Sequence, residues 1–212
     1  MRSEMKTIDV RCALDHFVHT DPLMHSMVRQ AAQADTPLLF PNAKPMSDYF
    51  PTLVRSIISQ QISTKAATSI YDRLRSLCQL KPQSISQLPL CTIQSSGLTS
   101  QKAKYIHQLA RNWSAIKAEE FVGMSDKAVL DRLTAQYGIG MWTAQMFLLF
   151  ALARPDVFAY DDLGLRQQVV SWYKLTSEDK ETILEISRQW IPHRSVASLT
   201  LWFYIDNGPV LL

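Results

Sequence analysis

Apolar residues in this chain recur at helical spacing, and that periodicity constrains the fold more than any other feature. Phe50, Leu53, Val54, Ile57 and Ile58 stand at i, i+3, i+4, i+7 and i+8, the stripe of one helix face. A polar break at Gln60-Gln61 follows, after which Ile62, Ala66, Ala67, Ile70 and Leu74 resume the spacing. Thr99 stands where an N-cap belongs ahead of Lys102, Ala103, Ile106, Leu109 and Ala110, and Ser125 does so ahead of Ala128, Val129 and Leu133. Further helices are expected from Leu163 to Tyr173, from Thr176 or Ser177 toward Trp190, and from Arg194 to Tyr204. Alternating Val/Ile/Thr runs are missing, and 6 glycines are too few for an all-β chain. The expected fold class is all-α with short connections.

With 212 residues, 47% of them hydrophobic, and 5 tryptophans, the chain has material for a substantial core, which excludes a disordered tail protein. Cys12, Cys78 and Cys91 show no metal-ligand spacing and the N-terminus has no apolar signal core, so a reduced, intracellular protein is expected. The apolar run from Met141 to Ala153 is broken by Thr143 and Gln145 and falls short of the roughly 20 residues that span a bilayer. It reads as a buried helix, with no membrane partner. His16 and His19 are three apart, whereas helical zinc pairs sit four apart with a third ligand nearby. The formal net charge is +3, but Met46–Arg154 alone carries +6 and the flanking segments carry −3. A basic middle fits a polyanion facing it, although ordinary surface variation also produces such an imbalance.

Three short stretches carry chemistry. Tyr137-Gly138-Ile139-Gly140 lies between a helix ending near Leu133–Gln136 and one starting near Met141. Glycines at both ends of a tight turn permit positive φ and close approach of an outside group, and the following helix start offers unbonded N–H groups and partial positive charge. That is a cradle for a phosphate; the same residues also make a plain helix–helix turn. No strand precedes them and a third glycine is missing, so they are no dinucleotide fingerprint. Asp161-Asp162 ends an extended stretch that starts at Pro155, which places Asp162 as the N-cap of the Leu163 helix, where the dipole favours a negative group. Trp142 and Met146 are one helical turn apart and share a face, serving either a core or a pocket wall.

Taken together, Ile57-Ile-Ser-Gln-Gln-Ile-Ser63 with Lys65-Ala-Ala67, Leu98-Thr-x-x-Lys-Ala103, Tyr105-Ile106, Gly138-Ile-Gly-Met-Trp-Thr-Ala144, Arg154-Pro-Asp-Val-Phe158, Asp161-Asp-Leu-Gly-Leu165, Arg194-Ser195 and Trp202 run in order over residues 48–205. The set resembles the helix-hairpin-helix DNA glycosylase superfamily, most closely its 3-methyladenine DNA glycosylase II branch. Tyr137 departs from the proline usual there. The resemblance implies one domain over residues 1–212 made of two helical lobes, 46–154 and 1–45 plus 155–212, with a DNA-binding cleft between them and the helix-hairpin-helix motif at about 126–152. The N-terminal β-rich domain of longer relatives is not expected in this chain.

The resemblance also implies the chemistry. Asp162 becomes the catalytic carboxylate, with Asp161 as fallback or neighbour. Trp142, Met146 and Trp202 become walls of an aromatic pocket, where cation–π contact attracts a cationic alkylated base. Strand-cutting members carry a lysine at the position of Trp142, so tryptophan implies hydrolysis without strand cleavage. Gly138, Ile139, Gly140, Thr143, Gln60, Gln61 and Ser63 are implied to face duplex DNA containing alkylated bases, with Gln61 filling the gap left by the flipped base. Backbone carbonyls of Thr134, Gln136 and Ile139 are implied to hold Na+ or K+. No other cofactor is expected; no cysteine follows Cys91, so the iron–sulfur cluster of the endonuclease branch is not expected either. A monomer is expected, cytoplasmic at the nucleoid in a prokaryote and nuclear otherwise. Two other functions stay open at this point: a non-enzymatic DNA-binding module, which needs the glycines but not Asp162, Trp142 or Trp202, and a glycosylase of shifted specificity toward uracil or deaminated purines.

Overall fold

The structure is a computed structural model and describes residues 8–207, the last two by backbone only. Among the described residues every regular element is helical. The chain divides into two compact units: one comprises Ala43–Leu152, the other the described parts of Glu4–Asn42 and Ala153–Leu212.

In the second unit the chain begins with α1 (Val10–Thr20) and α2 (Pro22–Gln33), capped by Asp9 and Asp21. Neither helix is among those expected from the sequence. Their signals were present: an aspartate before each helix and a proline at the first position of α2, where its missing N–H costs nothing. Asp21 is 4% exposed. A buried carboxylate persists only when donors surround it. The Met24 N–H at 3.0 Å, the Trp190 indole N–H at 2.7 Å and the Tyr173 hydroxyl supply them. Burial, and then the adjacent carboxylate, push the Tyr173 phenol well above its ordinary value, so it stays a donor.

The Ala43–Leu152 unit is organised about α3 (Tyr49–Ser59), whose Tyr49, Phe50, Leu53, Val54, Ile57 and Ile58 are all buried. It packs against α4 (Thr64–Leu77), α7 (Ser100–Ile116) and α9 (Met141–Phe150). Short helices α5 (Pro82–Ser86) and α6 (Leu90–Gln94) pack on α7, and α8 (Asp126–Thr134) packs on α9. Tyr49, Phe121 and Phe147 form an aromatic cluster with ring centroids 5.2 to 6.5 Å apart, edge-on except for the stacked Tyr49–Phe121 pair. Helix α9 buries six of its ten residues, as a helix apolar all round must. It is the run read from sequence as a buried helix. No described helix is long and apolar enough to cross a membrane.

The second unit is completed by α10 (Leu163–Trp172), α11 (Lys180–Arg188) and α12 (Arg194–Asn207), with α12 packing on α2 and α10. Helix α11 starts later than the expected Thr176 or Ser177, because Asp179 accepts from both the N–H and the hydroxyl of Thr182 and sets the cap there.

Candidate functional site

The hairpin between α8 and α9 is built from a cap, a turn and one tight packing contact. The Ser125 hydroxyl accepts from the Ala128 N–H and starts α8; the chain turns through residues 135–139, with the Ile139 N–H donating to the Gln136 carbonyl at 3.1 Å. The two glycines then separate in role. Gly138 has φ +84°, and a Cβ there would lie 2.1 Å from Cγ of Tyr105, whose ring packs directly beneath it. Gly140 has φ −88°, and a Cβ there would meet nothing within 4 Å. Of the two positions where glycine permits positive φ, only Gly138 uses it. Gly138 is required by the fold, whereas Gly140 leaves open space in front of the first turn of α9, which it caps without a side chain.

Gln60 and Gln61 are also separated. Gln60 turns inward: its side-chain amide donates to the Gly138 carbonyl at 3.2 Å and to the Thr143 hydroxyl at 2.9 Å. Thr143 is buried, so its side chain is part of this internal tie and not of an outer surface. Gln61 is exposed and has φ +57°, a left-handed conformation that turns the chain between α3 and α4. Ser63 is exposed and caps α4 through the Ala66 N–H. Beneath the turn, the Lys102 ammonium donates to the carbonyls of Ile58 (2.8 Å) and Gln60 (2.6 Å). A cation on the last carbonyls of α3 complements the helix dipole, and burial lowers the lysine from its ordinary value. This role was missed in the sequence analysis, although the Leu98-Thr-x-x-Lys102 stretch stood out.

Gln60, Tyr105 and residues 134–140 line an open depression of about 600 Å³. Thr134, Gln136 and Ile139, the residues expected to offer carbonyls to a cation, all border it. Such a donor set is neutral and all-oxygen, which fits Na+ or K+ and not a transition metal. Of the expected pocket residues in this unit, Trp142 is half-buried and Met146 is 4% exposed, within the core.

The second arrangement lies in the other unit. Asp162 is the N-cap of α10, and its Oδ1 accepts from the Leu165 N–H at 2.9 Å. The same oxygen accepts from the Trp202 indole N–H at 3.2 Å. Trp202, expected as a pocket wall, is seen holding the carboxylate. Asp161 is exposed. Helix α12 positions the approach to Asp162 with several side chains. Arg194 grips Asp156 with two hydrogen bonds of 2.6 and 2.8 Å, while the Ser195 hydroxyl donates to the Arg154 carbonyl and accepts from the Val157 N–H. Ser198 donates to the Val157 carbonyl at 2.9 Å. An extended segment has no ladder of its own, so these bonds satisfy its backbone and fix where it delivers Asp161-Asp162.

An all-α chain with a glycine hairpin between two helices and an aspartate N-cap bound by a tryptophan has a match among known families. The model of the HhH-GPD superfamily of base excision DNA repair proteins matches residues 54–193, and the chain belongs to that superfamily. Among curated relatives, a putative DNA-3-methyladenine glycosylase, YfjP, of Bacillus subtilis is 28% identical over 91% of this chain and 68% of its own length. DNA-3-methyladenine glycosylase 1 of Schizosaccharomyces pombe is 30% identical over 71% of this chain and 69% of its own. Among solved structures, the Schizosaccharomyces pombe 3-methyladenine DNA glycosylase in complex with abasic DNA has a TM-score of 0.80 and 26% identity, covering 90% of this chain and 95% of its own.

Proposed function

We propose that the chain is a DNA glycosylase that flips alkylated bases of the 3-methyladenine and 7-methylguanine type out of duplex DNA and removes them by hydrolysis, leaving an abasic site. The observation that carries this reading is the Asp162 carboxylate, oriented by two donors on a single oxygen. The relatives' shared description as 3-methyladenine glycosylases supports the substrate class.

Breaking the glycosidic bond sends its electron pair into the departing base and develops positive charge on the sugar. An anionic carboxylate stabilises that charge and orients the attacking water, accepting its proton as the new C1′–O bond forms. A methylated purine already carries positive charge and leaves as a neutral molecule, so the site needs little acid catalysis. Trp142 has no amine, so no Schiff base forms at that position and the strand stays intact. The hairpin takes a DNA phosphate on the open side of Gly140 and the first turn of α9. The carbonyls of Thr134, Gln136 and Ile139 would hold a monovalent cation, which would supply positive charge beside that phosphate. Gln61 fills the gap in the duplex.

Asp162→Asn tests the reading well, because asparagine caps a helix about as well as aspartate. The variant is expected to stay folded and bind duplex, yet to release methylated bases at least about 100-fold more slowly. Activity equal to wild type removes Asp162 from the mechanism.

A further inference from the structure

Adjacent identical residues, Gln60 and Gln61, occupy different environments, and the inner one links two parts of the proposed DNA-contacting surface. We infer that Gln60 is a positioning residue that couples phosphate capture at the hairpin to insertion of Gln61 into the duplex. This inference rests on the glycosylase reading and deepens it.

The connection is continuous in hydrogen bonds. From the hairpin side, the Gly138 carbonyl and the Thr143 hydroxyl both accept from the single Gln60 amide. From the other side, the Gln60 backbone carbonyl is held by the Lys102 ammonium, which also holds Ile58. The next residue, Gln61, has the left-handed φ of +57° and is exposed. Gln60 thus sits with its side chain on the phosphate hairpin and its backbone one bond from the inserting residue. The amide nitrogen carries two N–H donors and so serves both partners at once, whereas a carboxylate offers no proton to the Gly138 carbonyl. Tyr105 completes the arrangement. It supports Gly138 from below, and its ring meets Tyr137 edge-on at 4.9 Å, so the hairpin rests on a rigid base. A phosphate bound in front of Gly140 therefore presses on a hairpin that Gln60 ties to the turn. Without the tie, each part contacts DNA independently and opening the stack loses the energy of phosphate binding.

Duplex and single-stranded substrates should respond differently to loss of the tie. A base in single-stranded DNA leaves no stacked gap to fill, so coupling matters only for the duplex. Gln60→Glu sets a carboxylate against the Gly138 carbonyl, which has no proton to offer, and is expected to slow excision from alkylated duplex by roughly tenfold, mainly in kcat. Excision from alkylated single strand should change by less than about twofold, because no hydrogen bond to the reacting base is lost. Thr143→Val, which removes one acceptor at constant shape, should shift the duplex-to-single-strand ratio in the same direction by less, and Thr143→Ser should restore it. A general loss of folding lowers both substrates together and is not rescued by serine. In parallel, fluorescence of 2-aminopurine beside an abasic site reports unstacking without any catalysis. Wild type is expected to raise it and Gln60→Glu to bind without raising it. Wild type that releases no methylated base overturns the glycosylase reading, and the 2-aminopurine arm then decides the coupling by itself. Active wild type with an unchanged ratio in both Gln60→Glu and Thr143→Val overturns the coupling and leaves the glycosylase reading standing.

Discussion

Asp162 uses one carboxylate oxygen for two purposes, since the N–H that starts α10 and the indole N–H of Trp202 converge on Oδ1. If Trp202 orients the carboxylate, Trp202→Phe keeps an aromatic ring at the position and removes the indole donor. Steady-state kinetics on methylated duplex should then show kcat lower by about fivefold with KM little changed; a change confined to KM would assign Trp202 to base binding alone. The glycines yield a second contrast. Gly138→Ala must adopt positive φ against the Tyr105 ring and is expected to cost roughly 1–3 kcal/mol in chemical denaturation. Gly140→Ala meets open space at an ordinary φ. It should unfold much like wild type but bind duplex more weakly, because its methyl group enters the volume the phosphate needs. Equal DNA affinity in Gly140→Ala would move the phosphate elsewhere.

At the scale of elements, helices were legible where a cap and a periodic stripe agreed, except α2, whose Asp21 cap and Met24, Met27, Val28 and Ala31 stripe were both present in the sequence and passed over. Thr99, Ser125 and Asp162 all cap the helices expected of them. Where the apolar stripe is thin the sequence reading failed. Helix α1 buries only Ala13 and Phe17, too few for periodicity to show, and α5 and α6 are five residues each. The site was legible as residue types but not as roles. Nothing in the pair Gln60-Gln61 says which side chain turns inward, because that depends on a single left-handed φ at Gln61. Lys102 was equally silent, since its partners are carbonyls 42 and 44 residues away. Lys102→Met retains the apolar stem and strips the cation from the end of α3. Urea unfolding should show a loss of about 1–2 kcal/mol, and an unchanged midpoint would mean that water replaces the ammonium there.

At the scale of the molecule, charge follows the division into units. Residues 43–152 carry the same +6 as the 46–154 segment, because Lys44 enters as Arg154 leaves, and the remainder is acidic. A DNA contact made by the basic unit releases counterions, so duplex affinity should fall by about tenfold or more between 50 and 200 mM salt. Affinity insensitive to salt in a titration would contradict phosphate capture by this unit. The proposed reaction is hydrolytic excision of an alkylated base without strand cleavage. A single incubation checks both halves: methylated duplex is mixed with the wild-type protein, and free base and strand length are read from the same tube. Release of 3-methyladenine and 7-methylguanine, with strands intact until alkali is added, is the predicted result. No free base, or breakage that appears without alkali together with a borohydride-trapped protein–DNA adduct, would contradict it.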